Sequence, residues 1–346
     1  METVWFSVVT FLITGYVVLD GFDLGAGILH LWVARTPEER RQVLGSIGPI
    51  WDGNEVWLVV AAGVLFFAFP ALYAASFSGF YLPLMIVLWL FMLRGVAIEF
   101  RGHVDSALWK HFWDVGFSAS SALLALFLGA ALGNIVRGVP LNAEGYFFEP
   151  LWTDLRPGPP TGILDWFTIA VGLLAFCALT QHGALWLMVK TEGALRDRAR
   201  HVVGVVWWWV VALTGLVTFL TFAVQPWIPR HLAERPWGSI FPALALAGLF
   251  AVRWLARRAQ AGKAFLASCA YLAGMLASAA LGLYPLVLPA NNDPALGLTV
   301  RNASAPGHGL AVGLAWFVPG MILVAGYFTF LYSRFRGVVS RDDEGY

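Results

Sequence analysis

The chain has few charged residues and almost no cysteine. Of its 346 residues, 12% are charged and 59% are hydrophobic, and the mean hydropathy is +0.72. This composition excludes a soluble domain with a single anchor and indicates an integral membrane protein. Cys177 and Cys269 lie in different apolar runs, so we interpret them as small core residues and assign neither a disulfide nor a metal site.

The sequence also lacks the motifs of several enzyme classes. It contains no nucleotide-binding glycine loop, no Ser-His-Asp pattern and no cysteine-rich cluster, and its seven histidines show no ligand spacing such as HxxxH. His30, His182 and His308 lie in or beside apolar runs, where we expect hydrogen-bonded histidines, with haem ligation as the alternative. No basic segment precedes the first apolar run, so a cleavable signal peptide is not expected.

Long apolar runs fill most of the chain. Because about 20 apolar residues are needed to cross the hydrocarbon layer, the runs predict an all-α membrane protein with nine transmembrane helices. The predicted spans are 5–32, 53–73, 76–99, 115–136, 162–189, 203–224, 239–257, 264–287 and 309–333.

The loops suggest how these helices are grouped. Similar basic loops follow the first and fifth spans (35–42 and 190–200), which indicates a weak internal duplication, although the positive-inside rule alone would produce the same similarity. The tightest turn is predicted around Ala74 and Ala75. We therefore predict two four-helix bundles plus one additional helix. The predicted units are a first bundle at 1–137, an external loop at 138–161, a second bundle at 162–290, and the ninth span with its tail at 309–346.

Positive charge is distributed unevenly between the two sides of the predicted membrane. Of 22 Lys and Arg residues, 17 fall on the side of the C-terminus and five on the other. Cytoplasmic loops carry such an excess, so the split predicts an N-out, C-in topology and an odd number of spans. The five external residues are Arg137, Arg156, Arg230, Arg235 and Arg301.

Two carboxylates lie inside the first span. Asp20 and Asp23 are three residues apart and share one helix face. Asp23 lies about 18 Å from the cytoplasmic loop that begins at Arg35, at 1.5 Å per helical residue. Acids at this depth are costly and rarely tolerated without a use. Two carboxyl groups this close cannot both ionise at low energetic cost in the membrane interior, so we predict that they relay a proton. The alternative is a structural pair that is hydrogen-bonded to neighbouring helices.

Two more acids open the second span. Asp52 precedes an apolar run and Glu55 follows three residues later, a pattern typical of a helix N-cap and its reciprocal partner. The same residues would also suit a cytoplasmic proton uptake point that leads to the buried pair. The sequence leaves both interpretations open.

A third charged group lies at the end of the third span. We expect Arg94, Glu99 and Arg101 to form an ion-paired network at the membrane interface, with proton transfer by Glu99 as the alternative. Gly21 and Gly25 make a small-residue face suited to close helix packing.

Five segments resemble one known family, subunit II of cytochrome bd-type quinol oxidases, and the resemblance covers most of the chain. The most specific is WDGN followed by VWL, which includes Trp51, Asn54 and Trp57. Some relatives carry Gln at the position of Glu55, which argues against a required acid there. The segments are DGFDLGAG (20–27), GPIWDGNEVWL (48–58), AASFSGFY (74–81), RGVAIEFR (94–101) and GNIVRGVP (133–140).

The resemblance implies a bacterial inner-membrane, multi-pass subunit of a terminal oxidase that oxidises quinol and reduces dioxygen to water. It implies a heterodimer with subunit I, which would hold haems b and d, or b only, while this chain ligates none. This subunit would complete the haem pocket, carry protons or oxygen and stabilise the complex. The quinol, the haem type, a small accessory subunit and a structural quinone stay open, and no nucleic-acid partner is expected.

Two rival functions are compatible with parts of the sequence. Duplicated halves with intramembrane acids are also found in proton-coupled secondary transporters. Against a transporter, the two halves show no matched pair of interrupted helices, and the acids of the second half lie at helix ends. The other rival is a structural scaffold, in which the acids only cap and pair.

The charge distribution gives a direct test of topology. Reporter domains fused after Arg200 and after Pro160 should report cytoplasmic and external locations respectively, because these positions lie on the basic and the non-basic side. The opposite location at either fusion point would overturn the nine-span orientation.

Overall fold

The computed structural model describes residues 1–339. Within this range, nine helices are long and apolar enough to cross a membrane, which confirms the predicted class and number. They are α1 (Glu2–Val33), α3 (Trp51–Ala68), α5 (Tyr81–Phe100), α6 (Ala107–Arg137), α7 (Trp166–Lys190), α8 (Gly193–Val224), α10 (Ile240–Arg257), α11 (Ala261–Leu283) and α12 (Gly307–Arg334). Three shorter helices connect them: α2 (Pro37–Ile47), α4 (Pro70–Gly79) and α9 (Ile228–Glu234).

The connection between the second and third spans differs from the prediction. Ala74 and Ala75 do not form a turn but lie inside α4. The chain bends at Phe69 instead, and Pro70 opens α4. Proline lacks the amide hydrogen that a continuing helix would need but is well suited to a first helical position. Hydropathy could not show this break, because apolar residues run through it.

Helix α1 is the central element and packs against α3, α6 and α7. Its residues from Asp20 to His30 are all buried. At Gly25 a Cβ atom would lie 2.0 Å from the Leu179 carbonyl oxygen and 2.7 Å from the Gly183 amide nitrogen, and at Gly21 it would lie 2.8 Å from the Leu179 side chain. The missing side chains therefore allow the backbones of α1 and α7 to touch.

The predicted grouping into two bundles remains a prediction. In the first group α1 packs on α3 and α6, and α5 packs on α6; in the second, α7, α8, α10 and α11 contact one another in sequence order. Helix α7 also packs closely on both α1 and α6. One apolar core runs through both groups.

The connections at the opposite end from α2 hold the two groups together. Strand β1 (Leu286–Leu288) pairs antiparallel with β2 (Leu298–Thr299). The amide of Val139 donates to the carbonyl of Pro289 at 3.0 Å, so the segment after α6 is joined to the segment after α11. The eighth span, predicted to reach residue 287, ends at Leu283 because the chain turns into β1.

The last helix is thinly packed. Leu310 and Leu331 are the buried residues of α12 within the described chain. Large apolar side chains such as Trp316, Leu323 and Phe330 are mostly exposed. This helix therefore depends on few intramolecular contacts.

The close approach of α1 and α7 can be tested by adding one methyl group. Gly25→Ala should lower the melting temperature of the purified protein by several degrees, because the new Cβ meets backbone atoms that cannot rotate away, and overpacking costs roughly 1–3 kcal/mol. Gly63→Ala is the matched control, since nothing lies within 4 Å of its Cβ position on exposed α3. Equal melting temperatures for both variants would contradict this packing.

Candidate functional site

Asp52 is an exposed acid at the start of α3. The helix begins at Trp51 and its N-cap residue is Ile50, with no side-chain cap hydrogen bond. The interpretation of Asp52 and Glu55 as a reciprocal cap is therefore wrong, because the helix begins one residue before Asp52. Asp52 lies in the first turn, where the helix dipole favours a negative charge. Its side chain is exposed to solvent.

Asp20 forms a buried ion pair with Arg94 of α5. The two guanidinium nitrogens contact the two carboxylate oxygens at 3.0 Å and 2.5 Å, and neither side chain is exposed to solvent. Such a bidentate pair is among the strongest polar contacts that side chains make. Glu55, which is partly exposed, lies 3.8 Å from the same guanidinium. Arg94 therefore connects α1, α3 and α5.

Asp23 has a different and uncharged partner. The side-chain amide of Asn54 donates to one Asp23 carboxylate oxygen at 2.7 Å. The other oxygen, Oδ1, is buried and has no hydrogen-bond partner among the described residues. The two neighbouring acids thus lie in unlike environments, one compensated by a cation and one held by an amide.

Two motif tryptophans frame this region. Trp51 is buried and its ring lies 3.2 Å from the Cβ position of Gly95. The ring of Trp57 lies across Gly15 of α1, where a Cβ atom would be 2.5 Å away. Both side chains therefore fix α3 against its neighbours.

The predicted network of Arg94, Glu99 and Arg101 is wrong. Arg94 points to Asp20, while Arg101 donates to Asp114 at 2.5 Å. Glu99 is exposed and forms no salt bridge within residues 1–339. Arg101 lies seven positions after Arg94, just beyond the end of α5, so the two side chains lie at different depths and take partners on different helices.

Asp114 is a functional candidate that sequence reasoning missed. It is buried on α6 and accepts from Arg101, from Arg40 at 2.9 Å, and contacts His30 Nε2 at 2.7 Å. We call these four residues the Asp114 cluster. It joins α1, α2, α5 and α6 at the end of the helices where α2 lies. In the sequence Asp114 is a single aspartate just before a predicted span, and no motif around it indicated a functional role.

The same end contains a link between the two similar basic loops. Arg198 of α8 contacts Glu39 of α2 at 2.5 Å. Burial acts to raise the pKa of Glu39, but hydrogen bonds from Arg198 and from the amides of Arg35 and Thr36 prevail and lower it.

A second missed cluster lies at the opposite end of the protein. The Arg137 guanidinium at the end of α6 contacts Asp165, the N-cap of α7, and Glu149 of the intervening loop at 2.7 Å. Asn134 also accepts from Arg137, at 2.8 Å. Burial raises the pKa of Glu149, although Arg137 acts in the opposite direction. The segment GNIVRGVP holds Asn134 and Arg137 and was the available signal.

Comparison with known proteins identifies the family. The sequence pattern described as cytochrome bd terminal oxidase subunit II matches residues 1–335. The chain belongs to this family.

Individual relatives agree over almost the full length. A probable cytochrome oxidase subunit 2 of Haemophilus influenzae is 32% identical over 97% of this chain and 94% of its own length. The cytochrome bd ubiquinol oxidase subunit 2 of Bacillus subtilis is also 32% identical, over 99% of this chain and 98% of its own length. The solved bd oxidase of Geobacillus thermodenitrificans has the same fold, with a TM-score of 0.75 at 20% identity over 96% of this chain and 98% of that chain.

Membership of the family establishes the setting of these residues. Subunit II works with subunit I in a quinol:oxygen oxidoreductase complex of the cytoplasmic membrane, and the complex carries haems. The buried charged groups described above therefore lie inside a respiratory terminal oxidase.

The two buried histidines of this subunit II form hydrogen bonds with protein groups. The His182 ring bonds Ser268 at 2.6 Å and the Val18 carbonyl at 3.0 Å, and it stacks on Phe265. Nε2 of His30 is bound to Asp114, and the edge of the Phe117 ring covers the imidazole. Both ring nitrogens of His182 and Nε2 of His30 therefore bond protein atoms, while His30 Nδ1 is buried without a hydrogen-bond partner among residues 1–339.

Breaking the Arg94–Asp20 pair should destabilise the complex. Arg94→Gln leaves a buried carboxylate uncompensated, and removing one partner of a buried pair costs about 3–5 kcal/mol. We expect low yield of assembled complex and a lower melting temperature, measured on protein purified with subunit I.

The double variant Arg94→Gln, Asp20→Asn is the control for this prediction. It removes both charges and should recover much of the yield. Equal losses in the single and double variants would show that the pair is not what stabilises the contact between α1 and α5.

Proposed function

We propose that this subunit carries protons from the cytoplasm toward the site of oxygen reduction and completes the haem pocket at its interface with subunit I. The observation that supports this most directly is a series of acids that leads inward from α3 to α1. Asp52 is exposed, Glu55 is partly buried, and Asp20 and Asp23 are fully buried. Arg94 lies between Glu55 and Asp20.

The reaction of the complex requires protons that such a series of acids would supply. Reduction of dioxygen to water consumes protons, and protons drawn from the cytoplasm while quinol is oxidised on the other side make the reaction electrogenic. A charged side chain within the membrane is costly, so intramembrane acids commonly mark proton relays. The N-out, C-in orientation would place Asp52 at the cytoplasmic end.

The charges of the buried group favour proton storage. One guanidinium, that of Arg94, faces the carboxyl groups of Asp20, Asp23 and Glu55. Three negative charges on one positive charge in a low-dielectric interior are expensive, so a proton held within the group offsets the excess. Asp20 has its charge compensated by Arg94, whereas Asp23 forms no salt bridge within residues 1–339. We therefore assign the exchanging proton to Asp23.

The cofactors belong to the partner in this proposal. Nε2 of each buried histidine bonds a protein group, and no group of three or more His, Cys, Asp or Glu in the described chain could hold a metal ion. We therefore infer that subunit I supplies the haem ligands, with haems b and d or b only, and the quinol site.

A proton-coupled transporter is the less favoured function. The chain matches oxidase subunits along nearly its whole length, and the acids of the second half do not form an intramembrane pair: Asp165 caps α7 and Asp197 lies near the start of α8.

Neutral variants of the acids test the proposal. Asp23→Asn and Asp52→Asn each remove an ionisable group at nearly constant size. Quinol-driven oxygen consumption should fall by about tenfold or more, because proton supply becomes limiting, while haem content and assembly stay near parental. Activity should be measured across roughly pH 6–9.

Asp197→Asn is the matched control, since Asp197 is likewise an exposed aspartate near the start of a helix on the predicted cytoplasmic side. It should turn over at the parental rate. Full activity of both test variants across that pH range would show that these carboxylates are structural.

A further inference from the structure

We propose that Tyr332 of α12 is a positioning residue for the Asp23 carboxylate, acting through Asn54. This inference rests on the proposed proton role of Asp23. It concerns a helix that the sequence did not connect with the acids, because Tyr332 is 278 residues away from Asn54.

Three side chains from three helices form one hydrogen-bonded chain. The Tyr332 hydroxyl donates to the Asn54 side-chain oxygen at 2.9 Å, and the Asn54 amide nitrogen donates to Asp23 at 2.7 Å. Within the described part of the chain, these are the side-chain hydrogen bonds of Asn54. A phenol has one proton to donate, and an amide presents one oxygen and one NH2 group. Donation by Tyr332 to the oxygen therefore directs the NH2 group to Asp23.

This orientation matters for the charge of Asp23. An NH2 group that donates to a carboxylate stabilises its ionised form, whereas a carbonyl oxygen turned toward it would repel that form. Because Asp23 Oδ1 has no hydrogen-bond partner among the described residues, Asn54 is the donor on which the carboxylate depends. The hydrogen bond from Tyr332 determines that the NH2 group of Asn54, and not its oxygen, points to Asp23.

The position of Tyr332 is itself set by polar anchors. α12 has little apolar packing, but its cytoplasmic end is fastened on two sides. The Lys190 ammonium donates to the Phe335 carbonyl at 2.5 Å, and the Val339 amide donates to the Lys190 carbonyl at 2.9 Å. Leu331, one residue before Tyr332, lies over Gly53 of α3 at 3.6 Å from its Cβ position. These contacts hold the hydroxyl within reach of Asn54.

Few other charged or titratable groups surround Asp23. Asp20 lies on the same helix, Glu55 is on α3 and Arg94 is on α5. On α11, Cys269 interacts electrostatically with the tyrosine. On α7, His182 is engaged by Ser268 and Val18. On α6, Asp114 is bound within its own cluster about two helical turns away along α1. None of these takes the place of the Tyr332–Asn54 contact.

The test is the pH dependence of turnover in Tyr332→Phe, measured on the complete oxidase complex. The variant keeps the ring and removes the hydroxyl. With the ionised form of Asp23 less well stabilised, the proton is retained to higher pH, and the alkaline limb of oxygen consumption should shift upward by about half a pH unit, the size expected from an indirect hydrogen bond. Tyr327→Phe is the control, because Tyr327 is an exposed tyrosine on the same helix; its profile should match the parent.

A second variant separates this inference from the proposed function. In an Asp23→Asn background, Tyr332→Phe should cause no further shift. If Asp23→Asn lowers turnover but Tyr332→Phe leaves the profile of an assembled complex unchanged, the positioning role is wrong and the proton role of Asp23 stands. If Asp23→Asn itself turns over like the parent, the proposed function fails, and the positioning role fails with it. A Tyr332→Phe shift that persists in the Asp23→Asn background would also overturn the inference, because the hydroxyl would then act on another group.

Discussion

The buried ion pair between Asp20 and Arg94 is the interaction on which the rest of this structure depends. A carboxylate that stays ionised in the middle of a membrane protein needs a cation in contact, because the cost of desolvation is otherwise not offset. By satisfying both oxygens of Asp20, the guanidinium binds α1 to α5 and attracts Glu55 of α3. Asp23, one turn away, forms no salt bridge among the described residues and is bound by the Asn54 amide instead.

Polar contacts also organise the protein at both ends of the helices. Packing in lipid gains little from hydrophobicity, so small residues and buried polar groups must specify which helices touch. Gly25 and Gly183 bring α1 and α7 together. The Asp114 cluster joins four helices at one end, and Arg137 connects α6, α7 and the loop between them at the other. Held in this way, the central acids have fixed neighbours.

The sequence predicted some features well for clear physical reasons. Long apolar runs are a local signal, and they yielded the nine helices. The break at Phe69 was missed because Pro70 lies within an apolar run and starts a helix as readily as it ends one. The partners of the acids could not be predicted: Arg94 is 74 residues from Asp20, and Arg101 was expected beside Glu99 but meets Asp114. Such pairs depend on how each helix is oriented about its own axis relative to its neighbours. The residues around each charge in the sequence do not reveal that orientation.

The central claim is that Asp23 gains and loses a proton during turnover, while Asp20 stays paired. Infrared difference spectroscopy of the complete complex, reduced and then exposed to oxygen, measures this directly through the carbonyl stretch of protonated carboxyl groups. The account predicts a band that is present in the parental complex, absent in Asp23→Asn, and retained in a folded Asp20→Asn, Arg94→Gln variant. A spectrum of Asp23→Asn that is identical to the parental spectrum in this region would contradict it.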